Sequence, residues 1–302
     1  MRIAVLGPGG VGGLVAGALA RAGEDVLVIA REGTAELIAS DGISVDSERL
    51  GQFTARPEAQ ATLREPGAVL IVATKATGLQ AALGRVRETP ALVVPLLNGL
   101  DHLATLRARF GPERVAAGVI RVESDCPAPG QIVQSSPFLR VDLASERDEL
   151  RPLLQDLAAR LEEAGIPTVI EAGEAQVMWS KLVRLNALAL TTSASGRDLG
   201  EIRKDPRWRS ALERAVAETA AVAVAEGAHL DPADTLAELE QAHPELRSSM
   251  HRDLEAGRTP ELDAIAGAVL RVAARHGIPC PSVAYLSRRV AQRAGIAAPA
   301  TR

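Results

Sequence analysis

Over roughly the first 170 residues, short and nearly continuous apolar runs alternate with stretches whose apolar positions recur at helical spacing. The runs are Ile3–Leu6, Val26–Ala30, Val69–Thr74, Leu92–Leu97 and Val115–Val119. Helical patterns lie between them, among them Val11–Ala22, Thr34–Ser40 and Leu79–Arg87. A strand that is apolar on both faces is covered on both faces, so the alternation predicts a parallel sheet with flanking helices. Further short runs at Ile132–Val133, Leu139–Leu143 and Thr168–Ile170 are expected to extend that sheet, with antiparallel members at one edge. From Glu174 onward strand-like runs stop. Helical segments follow at Ala175–Ser195, Trp208–Glu226, Ala233–Gln241, Ser248–Glu255 and Pro260–His276. The last carries an apolar stripe of Leu262, Ile265, Val269 and Val272, the period of an amphipathic helix. Thr259 is placed to cap it, Pro260 suits a first turn, and Gly277 with Pro279 ends it. The fold class expected is therefore α/β: an N-terminal Rossmann-type doubly wound sheet over residues 1–172, then an all-helical domain over 173–302. A cleft between two such domains is the usual place for a ligand.

Composition narrows the classes of function. A net charge of −4 gives no general attraction to nucleic acid or anionic lipid. Aromatic residues are 2% of the chain, too few for base-stacking platforms. No apolar run approaches the ~20 residues that cross a bilayer, and an apolar strand starting at Ile3 leaves no room for a signal peptide. Cys126 and Cys280 lie far apart and the five histidines are scattered, so no metal site is expected. The expected setting is the cytoplasm, with reduced thiols and no nucleic-acid or membrane partner. Apolar helix faces in the second half are compatible with a homodimer, although such stripes usually line an internal core.

The candidate chemistry begins at Gly7-x-Gly9-x-x-Gly12, read "GPGGVG", which follows the first strand and opens the first helix. In this context one glycine makes the tight turn, one lets the backbone approach a pyrophosphate and one permits close helix–strand packing. The helix start adds N–H groups and partial positive charge. The loop Gly7, Pro8, Gly9, Gly10, Val11 and Gly12 is thus expected to bind a dinucleotide. Sites that prefer NAD carry Asp or Glu at the end of the second strand, to hold a ribose 2′-hydroxyl. Here that strand ends Ile29-Ala30-Arg31. A permanently charged, bidentate guanidinium suits a 2′-phosphate instead, so Arg31 predicts NADPH. Glu32 is a competing group that would favour NAD if it turned inward. Lys75 and Asn98 both follow apolar strands, at the ends where open α/β sheets bind ligands; ordinary loop polarity is the alternative for each.

With these residues in hand, the chain resembles the ketopantoate reductases (2-dehydropantoate 2-reductases) over nearly its whole length. The resemblance rests on "GPGGVGG", "IAR", "VATKA" with Lys75, "LLNGL" with Asn98, "MWSKL" with Lys181, "SSMHRDLEAGRTPELDAIAG" with Ser249 and Glu261, and "HGIPCPSVAYL". It implies NADPH-dependent reduction of a small 2-keto acid, 2-dehydropantoate, to pantoate, as in pantothenate biosynthesis. It further implies Lys181 as general acid, Glu261 as the residue that orients substrate and lysine, Ser249 as a substrate ligand, and Asn98 and Lys75 as ligands of both cofactor and substrate.

Elementary chemistry agrees with those roles. Hydride addition leaves negative charge on oxygen, which a proton donor and fixed positive charge stabilise. Lys181 lies among Val177, Met178, Trp179, Leu182 and Val183, where desolvation would lower a lysine pKa and a buried ammonium would require a partner such as Glu261. Without the resemblance, Lys181 reads equally as a snorkelling lysine, Glu261 as a carboxylate stabilised by a helix dipole, and Ser249 as a helix cap in competition with Ser248. The chain also departs from the family. Asparagines expected one and two turns beyond the lysine are Leu185 and Ala189, and the one expected before the glycine of the last stretch is Ala266. Asn186 is one residue out of register, about 100° around the helix; Arg184 is a candidate replacement contact. Hydride transfer therefore survives these departures better than recognition of a substrate hydroxyl does. The alternatives are a different 2-keto acid, a non-catalytic NADP(H) sensor, disfavoured by Lys181 and Glu261 together, and another two-domain dehydrogenase, disfavoured by the absence of its substrate loop.

Overall fold

The computed structural model describes residues 1–300. The chain folds as two compact units. The first holds Met1–Leu97 and His102–Val177, and the second holds Asn98–Asp101 and the chain from Met178 onward.

The first unit opens with strand β1 (Ile3–Leu6), helix α1 (Gly10–Arg21), β2 (Val26–Ile29) and α2 (Glu32–Asp41). Strands β3 (Ile43–Ser47), β4 (Gly51–Ala55), β5 (Glu58–Gln60) and β6 (Val69–Val72) follow, then α3 (Leu79–Leu83) and β7 (Leu92–Pro95). The main sheet has the order β5-β2-β1-β6-β7 and all its pairs are parallel. Every residue of β1, β2, β6 and β7 is buried, as the continuous apolar runs predict. Alternation along β1 divides the core in two: Ile3 and Val5 join one cluster with α1, Ala4 and Leu6 the other with Leu79 and Leu83 of α3. From β1 the chain winds outward to β2 and β5, then returns to β6 on the other side. The point where strand order reverses is therefore beside β1, where open sheets bind ligands.

The remainder of this unit departs from the expected single sheet. It contains α4 (Asp101–Phe110), whose first residue belongs to the second unit, and then β8 (Ala117–Arg121), β9 (Ser124–Ala128), β10 (Gln131–Gln134), β11 (Arg140–Ala144), α5 (Arg151–Glu163) and β12 (Thr168–Ile170). The run at Ile132–Val133 does not extend the main sheet. It lies in a separate four-stranded sheet, β4-β3-β10-β9, packed on α1 where Gly13 and Gly17 leave room for Ile132 and Val45. The runs at Leu139–Leu143 and Thr168–Ile170 form a third sheet, β12-β11-β8. Its β8–β11 pair is antiparallel, and a single parallel bridge from Val115 to Val93 joins it to β7. That is the antiparallel edge expected from sequence, built as an adjoining sheet.

The second unit is helical. α6 (Glu174–Ser195) enters it from the first unit, followed by α7 (Leu199–Lys204), α8 (Pro206–Ala225), α9 (Pro232–Gln241) and α10 (Ser249–Glu255). A π-helical turn at Asp263–Gly267 then leads into α11 (Ala268–His276), and α12 (Pro281–Ala294) closes the unit. α12 is not among the helices expected from sequence, although Pro281 stands in its first turn and Gly295, at φ +64°, ends it. The stretch expected as one helix from Pro260 starts later. Residues 258–261 are irregular, and the first helical bond runs from the Ile265 N–H to the Glu261 carbonyl, 3.1 Å. Proline biases its predecessor toward extended backbone, so Thr259-Pro260 delays the helix instead of capping it. The apolar stripe is as expected: Leu262, Ile265, Val269 and Val272 are all buried.

Candidate active site

The turn of the glycine loop is set by backbone hydrogen bonds. The Gly7 N–H donates to the Ile29 carbonyl of β2 at 3.0 Å, and the Gly9 N–H to the Gly7 carbonyl at 2.9 Å. Gly7 has φ +92°, a conformation that L side chains disfavour. The glycines then differ in what surrounds them. A Cβ on Gly12 would fall on the Gly7 carbonyl oxygen, and one on Gly10 on the Ser124 backbone, whereas one on Gly9 would have no atom within 4 Å. Gly12 and Gly10 are therefore required by packing, and Gly9 leaves space. The N–H groups of Gly10, Val11 and Gly12 open α1, where no helix supplies internal partners. Ser124 closes the far side, its hydroxyl donating to the Gly10 carbonyl at 2.8 Å.

Two of the expected cationic residues stand along the same carboxyl edge of the sheet. Arg31 is exposed directly after β2 and Ala30, at the start of α2. Lys75 is exposed after β6, where it opens a 3₁₀ turn. Sequence reasoning missed Thr74. Its methyl group touches the position of a Gly7 Cβ at 2.7 Å, and its buried hydroxyl has no hydrogen-bond partner among the described residues. A Thr immediately before the strand-end lysine was the available signal. Open space at Gly9 beside a helix start, an exposed guanidinium after the neighbouring β2 and an unmatched hydroxyl after β6 on the other side fit a dinucleotide phosphate group.

The second cluster lies within the helical unit and joins three distant segments. The Lys181 ammonium, on α6, donates to Asn98 Oδ1 at 2.9 Å. Asn98 Nδ2 donates in turn to Glu261 Oε2 at 3.2 Å. A cation at one end and a carboxylate at the other fix the orientation of the amide, since only its oxygen accepts from an ammonium. The sequence neighbours Val177, Met178, Trp179, Leu182 and Val183 are buried, Lys181 itself is half-buried, and Glu261 is 8% exposed. This is a half-buried amine held by an amide that a buried carboxylate holds in turn. Such a group can donate a proton to an oxygen that gains negative charge.

Ser249 and Ser248 separate cleanly. Ser248 is buried, caps α10 by accepting from the His251 N–H at 3.1 Å, and shares a 3.0 Å hydrogen bond with Thr192. Ser249, the next residue, is exposed at the helix start. Asn186 is fully buried and donates to Thr219 of α8 at 2.9 Å, so it does not replace the missing asparagines. Arg184, the other candidate replacement, lies 3.7 Å from Glu238 of α9. Among the described residues no cluster of His, Cys, Asp and Glu could hold a metal ion, and no helix is long and apolar enough to cross a membrane.

Comparison with known proteins gives one consistent family. The model for "Ketopantoate reductase PanE/ApbA" matches residues 3–143, and its C-terminal counterpart matches residues 175–300. The chain is 30% identical to a 2-dehydropantoate 2-reductase of Mycobacterium tuberculosis, over 92% of this chain and 93% of that one. Among solved structures, a 2-dehydropantoate 2-reductase from Geobacter metallireducens superimposes with a TM-score of 0.89 at 27% identity, over 97% of this chain and 99% of the other. A D-mandelate dehydrogenase with NADH and anilino(oxo)acetate shares the fold, with a TM-score of 0.87 at 21% identity, over 98% and 99% of the two chains.

Proposed function

Because this chain belongs to the ketopantoate reductase family of nicotinamide-dependent oxidoreductases, we propose that it reduces 2-dehydropantoate to pantoate with NADPH, as a cytoplasmic step toward pantothenate. The observation that carries this reading is the hydrogen-bonded chain Lys181–Asn98–Glu261.

The roles follow from the chemistry. The N–H groups at the start of α1 would hold the pyrophosphate, Arg31 would hold the 2′-phosphate, and Lys75 would add positive charge at the same sheet edge. A nicotinamide bound there would supply the hydride. As the 2-keto carbon accepts it, the carbonyl electron pair moves onto oxygen, and the Lys181 ammonium gives that oxygen a proton. The product is the 2-hydroxy acid, and neutral Lys181 recovers its proton from solvent. Asn98 accepts from the ammonium and so fixes its direction, while Glu261 balances its charge across the amide. Ser249, exposed beside the capping Ser248, is the hydroxyl assigned to the polar end of the substrate.

A specific observation supports a second reading of the substrate. Leu185 and Ala189 stand one and two turns from Lys181 on the same face of α6, and Ala266 is fully buried. None of them can bond a substrate hydroxyl, so a 2-keto acid with an apolar substituent would lose nothing there. One experiment tests both readings: NADPH oxidation with a panel that includes 2-dehydropantoate, 2-oxoisovalerate and phenylglyoxylate. Preference for 2-dehydropantoate is the expected result. Preference for an apolar 2-keto acid selects the second reading, and oxidation with none of them refutes the reductase assignment for both.

A further inference from the structure

We infer that Arg271 is a positioning residue for this chemistry: it ties the segment carrying Asn98 to the turn that follows Glu261. The inference rests on the proposed role of Lys181, Asn98 and Glu261.

The segment Asn98–Asp101 groups with the helical unit, although the chain on both sides of it belongs to the other unit. Something local must hold it. Gly99 has φ +90°, and a Cβ on it would fall on the Ala264 carbonyl oxygen, so the backbone of this segment lies directly on the π turn. Arg271 supplies the polar tie. Its Nη2 donates to Asp101 Oδ2 at 2.6 Å and to the Asp263 carbonyl at 3.2 Å, and its Nη1 donates to Asp263 Oδ1 at 2.8 Å. One guanidinium thus joins a residue three positions after Asn98 to a residue two positions after Glu261.

The π turn makes this reach possible. Arg271 and Asp263 are eight residues apart, which in an unbroken α-helix places them about 80° apart around the axis. A π turn absorbs one extra residue, so the pair behaves like residues seven apart, within about 20° of one face. Gly267 clears the way: a Cβ there would collide with the Asp263 carboxylate and lie 3.0 Å from Arg271 Nη1. The π turn, Gly99, Gly267 and the two carboxylates all serve one junction.

Global stability does not account for it. The Asp101 and Asp263 side chains are 60% and 69% exposed and Arg271 is 33% exposed, and exposed ion pairs contribute little to global stability. The position of Asn98 is a different matter, because a misplacement of about 1 Å in a catalytic group costs on the order of 100-fold in rate. Lysine cannot replace the arginine, since an ammonium lacks the planar fork that spans two acceptors.

The test compares Arg271→Ala, Arg271→Lys and Asp101→Asn with the parent enzyme. Steady-state reduction of 2-dehydropantoate with NADPH is measured alongside Tm and hydrogen exchange of the peptide spanning residues 98–101. The expected result is a kcat at least about tenfold lower in all three variants. Exchange at 98–101 should be faster, and Tm should stay within a few degrees, as for loss of an exposed pair. Should Arg271→Ala unfold, Asp101→Asn carries the test alone. Parental kcat in Asp101→Asn, or a kcat that falls only as far as Tm does, overturns the inference, even if exchange at 98–101 increases. If Lys181→Ala also keeps the parental rate, the underlying reading has failed; if Lys181→Ala is inactive while Arg271→Ala and Asp101→Asn are fully active, only this inference has.

Discussion

The glycine loop and the Asn98–Lys181–Glu261 cluster reach their chemistry by opposite routes. The loop is contiguous in sequence and works through backbone N–H groups, with side chains removed where they would obstruct. The cluster draws side chains from segments 83 and 163 residues apart, and none of the three has meaning without the other two. A loop of this kind is robust to changes around it and sensitive only at its glycines. A cluster of this kind depends on whatever holds its three segments in place, which here includes a junction of exposed charges.

The contrast can be broken at the loop itself. Gly12→Ala should have the largest effect there, because its Cβ meets backbone that cannot rotate away. A loss of about 1–3 kcal/mol of stability is expected, as for overpacking, together with loss of NADPH binding; a variant with parental Tm would show that the loop can yield. Gly9→Ala sharpens the contrast, since its Cβ meets nothing in the protein. Thermal melts should be unchanged while NADPH affinity, followed by its fluorescence, falls at least about tenfold, or ~1.4 kcal/mol. Unaltered affinity would place the phosphates elsewhere. The smallest effect is expected at Arg31. Arg31→Ala should leave NADH binding intact and weaken NADPH by about tenfold, erasing the preference; equal affinity for both cofactors in the parent would refute the assignment.

The same contrast decides what can be read from the sequence. The parallel strands are legible because burial on both faces leaves an unbroken apolar run, as in Val69–Val72 and Leu92–Pro95. The sheet over α1 is not, because Gly51–Ala55 has no apolar run and is mostly exposed, and its pairing depends on partners elsewhere in the chain. The edge strand Glu58–Gln60 of the main sheet is hidden for the same reason, being short, polar and partly exposed. The helix after Pro260 is misplaced at its start because Thr-Pro imitates a cap followed by a first turn, and no local pattern announces a π turn. Lys181, Asn98 and Glu261 become candidates together only through resemblance to a family. Read alone, Glu261 is a carboxylate at a helix start. Its hydrogen bond to Asn98 is a tertiary fact, and so is the grip of Arg271 on Asp101 and Asp263.

The central claim is that the amine of Lys181 delivers the proton that hydride transfer requires. The direct measurement is the turnover rate of Lys181→Ala at saturating NADPH and 2-keto acid, with NADPH affinity determined on the same preparation. The account predicts a rate lower by at least about 100-fold, the usual contribution of a general acid, with cofactor affinity unchanged. A variant that binds NADPH normally and turns over at close to the parental rate would contradict it.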